Sequence, residues 1–122
     1  MFADTITLTG NSVAHVLTRI NQDGYSSEYY LRETAGEYRM FIRNSRITDK
    51  KRPNVVIDQH NVDLTHTLFP AVPGDPPVIR RSFWTLQNQQ GDTLVDPKYD
   101  ADALLAFIST SGNIAKMQNF EC

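Results

Sequence analysis

The sequence predicts an α+β fold in which an antiparallel sheet comes first and helices come last. Between residues 5 and 90, successive runs alternate apolar and polar residues, which is the period of a strand with one buried face. Short Gly-, Asn-, Asp- or Pro-containing connections separate the runs, and such connections favour antiparallel neighbours. After residue 96 the apolar spacing becomes helical. We therefore expect an N-terminal β-hairpin, a five-stranded antiparallel sheet and one or two C-terminal helices.

Length and composition indicate one ordinary globular domain. The chain has 122 residues, of which 40% are hydrophobic and 21% are charged. We expect a single domain over 1–122, divided into the hairpin (1–20), the main sheet (25–89) and a helical region (97–120). No apolar run approaches the roughly 20 residues of a membrane span, so neither a leader nor a membrane segment is expected. The only cysteine, Cys122, is either incidental or a cross-link between subunits.

The strands follow from alternation within each run. Ile6 and Leu8 alternate with threonines before the turn at 10–12, and a β-branched run starts at Val13, which predicts the hairpin. The segments 25–33 and 37–47 repeat the alternation around the break at 34–36. Two longer strands are expected on either side of the segment "FPAVPGDPPV" at 69–78.

That segment is a stiff, donor-poor connection, because it holds four of the six prolines of the chain. A hairpin needs no such loop to reverse direction. We interpret it as a contact surface between subunits, since prolines lower the entropy lost when a loop becomes ordered. An inter-subunit calcium ion bound through Asp75 is an alternative role, because carboxylates bind hard cations. The predicted assembly residues are Pro70, Val72, Pro73, Gly74, Asp75, Pro76 and Pro77.

The helical region predicts a dimer. Asp96 is expected to be the N-cap, Pro97 the first helical residue and Gly112 the C-terminal stop. A helix of roughly 14 residues is only about 21 Å long, too short to cover a sheet of this size. We expect a second subunit to supply the missing cover and to complete the sheet across the dimer. The predicted dimer core consists of Trp84, Leu86, Leu104, Leu105, Phe107 and Ile108.

The sequence contains no constellation typical of an enzyme. His60 and His66 are six residues apart in a predicted strand, about 20 Å, which is too far for one metal ion. No nucleophile elbow, phosphate-binding glycine loop or His-Glu-x-x-His motif is present. We therefore expect no catalytic residue, no resident cofactor and no enzymatic activity. A small ligand-binding β-domain or a cofactorless enzyme stays an alternative without a motif to support it.

Basic and aromatic residues point to nucleic acid. The net charge is −2, yet six of the twelve basic residues lie between Arg39 and Arg52. Three predicted strands place arginine, phenylalanine and small polar residues on one side, where they offer phosphate contacts, base stacking and base-edge hydrogen bonds. This predicts a single-stranded RNA platform, with a solvated sheet face as the alternative. The predicted RNA-binding residues are Arg39, Phe41, Arg43, Ser45, Asn61, Thr65, Arg81, Phe83, Thr85 and Gln87.

The segments "INQDGYSSEYYLRE" (20–33), "QHNVDLTHTLFPAV" (59–72) and "VIRRSFWTLQ" (78–87), with the order of elements, resemble the coat proteins of the small single-stranded RNA bacteriophages (leviviruses). Within that family, the first two segments are most similar to those of Caulobacter RNA phages. The resemblance implies dimers whose joined sheet faces the interior of an icosahedral shell around genomic RNA. It also implies binding of an RNA hairpin that represses replicase translation in several members.

Matched position by position, the resemblance places Arg81 and Phe83 on the RNA face and Trp84 in the core beneath the helices. It places Arg39, Phe41 and Arg43 on an earlier RNA-facing strand. The implied location is the virion capsid, assembled in the cytoplasm of the bacterial host, with no membrane partner. A dimeric RNA-binding regulator that does not assemble is the alternative function.

Overall fold

The computed structural model describes all residues, 1–122, as six strands followed by two helices. The strands are β1 (Thr5–Gly10), β2 (Val13–Asp23), β3 (Ser26–Arg32), β4 (Gly36–Thr48), β5 (Val56–Leu68) and β6 (Val78–Gln89). The helices are α1 (Asp96–Ser109) and α2 (Asn113–Gln118). The predicted α+β class and the order of its elements are confirmed.

The strands form one antiparallel sheet in the order β1-β2-β3-β4-β5-β6, so each strand pairs only with its neighbours in sequence. The expected hairpin is not separate from the main sheet. Its second strand, β2, continues into the sheet by pairing with β3, with Thr18 opposite Tyr30. A register shift between Arg19 and Asn21 marks an irregularity in this ladder. The predicted main sheet (25–89) contains four strands, β3 to β6, and not five, so the sheet has six strands including the two of the hairpin.

The small core lies on one side of the sheet, here called the core face, which carries Tyr29, Met40 and Ile42. Tyr29 is opposite Met40, and Met40 is opposite Leu64 on the next strand, so the apolar residues form rows across the strands. With Leu17 they are the buried hydrophobic residues of the chain. The Tyr29 hydroxyl donates to the carbonyl of Ala3 at 2.7 Å, which fixes the N-terminal segment over this face.

The helices add almost no cover to the core face. Neither helix contains a buried residue, and the two helices contact each other more than they contact the sheet. Tyr99, Leu104 and Phe107 are 63%, 53% and 61% exposed. Neither helix is long and apolar enough to span a membrane. The apolar side of α1 is thus largely uncovered in the single chain.

The helix boundaries correct two predictions. Asp96 is the first residue of α1 and not its N-cap. The N-cap is Val95, and the Thr93 hydroxyl accepts a hydrogen bond from the backbone N–H of Asp96 at 3.2 Å and donates one to the Asp96 carboxylate at 2.8 Å. Pro97 lies in the first turn as predicted. The predicted stop at Gly112 is wrong, because α1 ends at Ser109 with Thr110 as its C-cap, and Gly112, with φ of 85°, is the N-cap of α2.

The exposed area of the chain is large for its mass. Only six of 122 residues are buried, and the accessible surface is 9424 Å². A compact monomer of 13.9 kDa is expected to expose roughly 6,700 Å². The excess, roughly 2,700 Å², is of the size that obligate subunit interfaces bury.

The start of β4 depends on a close backbone approach at Gly36. Gly36 pairs with Leu68, and a Cβ on Gly36 would overlap the backbone oxygen of Thr67 and lie 3.4 Å from the Leu68 Cα. We expect Gly36→Ala to lower the free energy of unfolding by about 1–3 kcal/mol, the range for overpacking. Thermal or chemical denaturation measures this change.

Gly10→Ala is the matched control, because a Cβ there meets no atom within 4 Å. Equal stability of the two variants would contradict the close approach at Gly36.

Candidate nucleic-acid interface

The register of β4, β5 and β6 brings all ten predicted RNA-binding residues to one side of the sheet. This side, here called the open face, is opposite to the core face and carries Arg39, Phe41 and Arg43. Directly paired residues form rows across it: Arg39–Thr65–Arg81, Phe41–Asp63–Phe83, Arg43–Asn61–Thr85 and Ser45–Gln59–Gln87. Opposite residues in an antiparallel ladder share a face and lie within about 5.5 Å. The predicted juxtaposition is therefore present, and contact with RNA stays a prediction.

Guanidinium groups on the open face lie over aromatic rings. The Arg43 guanidinium carbon is 4.2 Å from the Phe41 ring centroid, and the Arg81 carbon is 5.3 Å from that of Phe83. Phe83 is itself 67% exposed. Exposed phenyl rings beside guanidinium groups are the kind of surface on which unpaired bases can stack.

Asp63 lies between the two phenyl rings and is the only buried charged residue of the chain. Its Oδ1 accepts a hydrogen bond from Arg81 Nε at 3.1 Å, and its Oδ2 accepts one from Arg81 Nη2 at 2.5 Å. Arg43 Nη1 is 3.5 Å from the same Oδ2. The hydrogen bonds from Arg81 hold the pKa of the Asp63 carboxyl below its ordinary value, against the effect of burial.

Strand β3 also contributes residues to the open face, and the sequence analysis did not assign them to the site. Tyr30 is opposite Arg39, whose guanidinium carbon is 4.9 Å from the Tyr30 ring centroid. Arg39 also forms an ion pair with Glu28. The Tyr30 hydroxyl donates to Glu37 at 2.6 Å, and this bond raises the pKa of the Tyr30 phenol. Alternation along β3 puts Glu28 and Tyr30 on one side of the strand, but only the β3–β4 register sets them beside Arg39.

The basic segment 39–52 does not form one patch. Arg39 and Arg43 lie on the open face, whereas alternation turns Arg46 to the core face, where it bonds to Asp58 at 3.1 Å. Lys50, Lys51 and Arg52 lie in the β4–β5 connection, and Arg52 bonds to Asp49 at 2.9 Å. The charge of the open face is therefore smaller than the composition of this segment suggests.

The predicted assembly loop is an exposed turn between β5 and β6. The Asp75 N–H donates to the Val72 carbonyl at 3.2 Å, with Pro73 and Gly74 between them and a φ of 96° at Gly74. These are the features of a type II turn, which needs a positive φ at its third residue. Gly74 therefore has a definite conformational role in addition to any flexibility at contacts. Asp75 belongs to no group of three metal-ligating side chains, so a cation there would need ligands from elsewhere.

The predicted dimer-core residues lie away from the open face. Trp84 and Leu86 alternate with Phe83 and Thr85 along β6 and so belong to the core face. Together with Leu105 they line a groove beneath α1. The other helix residues, Leu104, Phe107 and Ile108, are exposed or half-buried in the single chain. Their burial in a dimer stays a prediction.

A six-stranded antiparallel meander followed by two C-terminal helices is the architecture that this chain shares with solved RNA-phage coat subunits. Residues 3–89 match the family model described as the coat protein of phage phiCb5. The chain belongs to this coat protein family. It is thus a structural component of a virion capsid and not an enzyme.

Solved phage coat proteins have the same fold at low sequence identity. The virus-like particle of bacteriophage ESE058 aligns with a TM-score of 0.75 at 16% identity, covering 99% of this chain and 98% of that chain. The virus-like particle of Beihai levi-like virus 21 aligns with a TM-score of 0.69 at 11% identity, covering 100% of this chain and 98% of that chain. The bacteriophage EMS014 coat protein aligns with a TM-score of 0.62 at 16% identity, covering 92% of this chain and 80% of that chain. No curated protein matches the sequence.

The Asp63 cluster predicts acid sensitivity. Because the folded-state pKa of Asp63 is lowered, its stabilising contribution is fully present above the ordinary carboxyl pKa of about 3.9. It is lost as the pH falls through the lower folded-state pKa. We expect the unfolding midpoint of the wild type to fall more steeply below about pH 4 than that of Asp63→Asn.

Thermal unfolding between neutral and acidic pH measures this difference. Asp75→Asn, which removes an exposed loop carboxylate, is the control and should retain the acid sensitivity of the wild type. Parallel pH profiles for the wild type and Asp63→Asn would contradict the assignment to Asp63.

Proposed function

We propose that this coat protein forms homodimers that assemble into an icosahedral shell around single-stranded viral RNA. The observation that carries the proposal is the missing cover: the chain exposes roughly 2,700 Å² more surface than a compact monomer of its mass. A structural role involves no covalent step, so the function consists of protein–protein contacts and RNA contacts. The similarity of the fold to subunits of virus-like particles supports the same proposal.

The dimer is proposed to form at β6. This strand is at the edge of the sheet, so one side of its backbone is unpaired, and a second β6 could continue the ladder. The chain passes from β6 into α1, so a partner sheet beside β6 would lie under the exposed side of α1. Tyr99, Leu104 and Phe107 would then be covered by the partner, close to the groove that contains Trp84 and Leu86.

The open face is proposed to line the interior of the shell and to bind RNA. Its support is the combination of Arg39, Arg43 and Arg81 with the rings of Phe41 and Phe83, a combination that suits single strands better than duplexes. Repression of replicase translation through an RNA hairpin belongs to the same proposal and would use the same face. Assembly would then take place where the viral RNA is made, in the host cytoplasm.

The β5–β6 loop is proposed to form contacts between dimers around the symmetry axes of the shell. It is exposed along its length from Pro70 to Pro77, and its turn is fixed by Pro73 and Gly74. A rigid exposed loop loses little entropy at a contact. The loop therefore supplies a defined surface without taking part in the core.

The helix contact predicts the outcome of one substitution in the dimer core. We expect Phe107→Glu to prevent stable dimers and to abolish particles, because it would bury an unpaired charge in the proposed interface. Size-exclusion chromatography with light scattering measures the dimer, and electron microscopy measures the particles.

Gln118→Glu is the control, since it adds the same charge at a polar, exposed position of α2. Normal particles from Phe107→Glu would exclude this interface. A wild type that stays dimeric under all salt and RNA conditions would overturn assembly and favour a regulatory RNA-binding dimer.

The RNA face predicts the outcome of charge removal. We expect the triple variant Arg39→Gln, Arg43→Gln, Arg81→Gln to lower the RNA content of particles. The salt dependence of binding should become shallower by about 0.7 in log K against log salt for each arginine that contacts a phosphate. Absorbance ratios of purified particles and fluorescence anisotropy measure the two effects.

The matched control removes the same number of charges outside the open face, through Arg46→Gln, Lys50→Gln and Arg52→Gln. If both triple variants lost RNA equally, the effect would be one of net charge, and the choice of face would be wrong.

A further inference from the structure

Asp63 is an acidic residue at the centre of a surface proposed to bind a polyanion. Its side chain is only 5% exposed, and both carboxylate oxygens accept hydrogen bonds from Arg81. A buried carboxylate of this kind requires partners, and Arg81 and Arg43 supply them. The row Phe41–Asp63–Phe83 places it between two aromatic rings.

The carboxylate determines where the two guanidinium groups lie. Arg43 and Arg81 approach Asp63 from opposite strands, and each also lies over the phenyl ring of its own strand. The resulting sequence across the sheet is ring, guanidinium, carboxylate, guanidinium, ring. The outer sides stay open to solvent, since the side chains of Arg43 and Arg81 are 45% and 60% exposed.

The same pairing reduces the charge available for phosphate binding. The three arginines of the predicted site face two carboxylates, because Glu28 pairs with Arg39 and Asp63 pairs with both others. A phosphate that approaches Arg81 competes with a carboxylate already held by two hydrogen bonds. Counterion release, which drives salt-dependent binding, is accordingly small.

We propose that Asp63 is a positioning residue that fixes Arg43 and Arg81 against Phe41 and Phe83, so that the open face binds unpaired bases by stacking more than phosphates by charge. This inference rests on the proposed binding of single-stranded RNA. The ligand class is an unpaired stretch of RNA of any sequence, because every base has a face that can stack.

Asp63→Asn separates positioning from charge. Without the carboxylate, the guanidinium groups of Arg43 and Arg81 are free to contact phosphates. The slope of log K against log salt should therefore steepen by about 0.7 for each guanidinium group that does so. At 1 M salt the electrostatic part of binding is negligible, so the affinity there measures positioning. We expect it to fall about ten-fold, from about three-fold for each of two lost cation–π contacts. Fluorescence anisotropy with a labelled 12-nucleotide oligoadenylate measures both quantities, at protein concentrations below those that form particles.

A 12-base-pair RNA duplex is the second probe, because its bases are not available for stacking. Asp63→Asn should bind the duplex more tightly than the wild type at low salt. Asp75→Asn is the control: it makes the same charge change in the exposed β5–β6 loop, away from the open face. It should leave oligoadenylate binding at 1 M salt unchanged.

Arg81→Lys keeps the test decisive if Asp63→Asn does not fold, as judged by circular dichroism. Lysine keeps the charge but loses the planar two-bond contact, so binding at 1 M salt should fall while the salt slope stays constant. If Asp63→Asn or Arg81→Lys bound oligoadenylate at 1 M salt as tightly as the wild type, the positioning role of Asp63 would be overturned, and the proposed RNA binding would stand. Absence of any oligoadenylate binding by the wild type would instead overturn the proposed RNA-binding function.

Discussion

The continuous antiparallel register of β4, β5 and β6 is the constraint on which the other features depend. Because opposite residues share a face, this register sends Met40, Ile42 and Leu64 to the core face and the arginine–phenylalanine pairs to the open face. A shift of one residue would exchange the two faces entirely. The small core, the groove under α1 and the candidate RNA surface are therefore consequences of one ladder.

Strand periodicity was sufficient to predict the open face, because the rows through Arg39, Phe41 and Arg43 follow from alternation and sequential pairing alone. The partners of those residues were less accessible to sequence reasoning. Tyr30 meets Arg39 only through the offset between β3 and β4, which the turn from Glu33 to Gly36 sets. Counting the charges between Arg39 and Arg52 does not reveal that Arg46 lies on the opposite face of the sheet.

The helices show a different boundary of prediction. Apolar spacing and Pro97 located α1 well, whereas the predicted cap residues Asp96 and Gly112 do not cap it. Neither pattern specifies what a helix packs against. In this chain α1 contributes little to its own core, and the inference of a second subunit came from the length of the helix and not from any motif. The missing cover becomes evident only when the exposed area of the folded chain is compared with the area expected for its mass.

The order of the strands has a consequence for how the protein is made. In a meander every strand pairs only with its neighbours in sequence, which allows the sheet to form progressively from the N-terminus during synthesis. The last sheet element to appear is β6, whose edge is unpaired, and α1 follows directly. A newly made subunit thus presents an open strand edge beside an uncovered helix, which is an aggregation hazard until it is capped. The concentration of newly made chains would then determine whether that edge meets another coat subunit or a wrong partner.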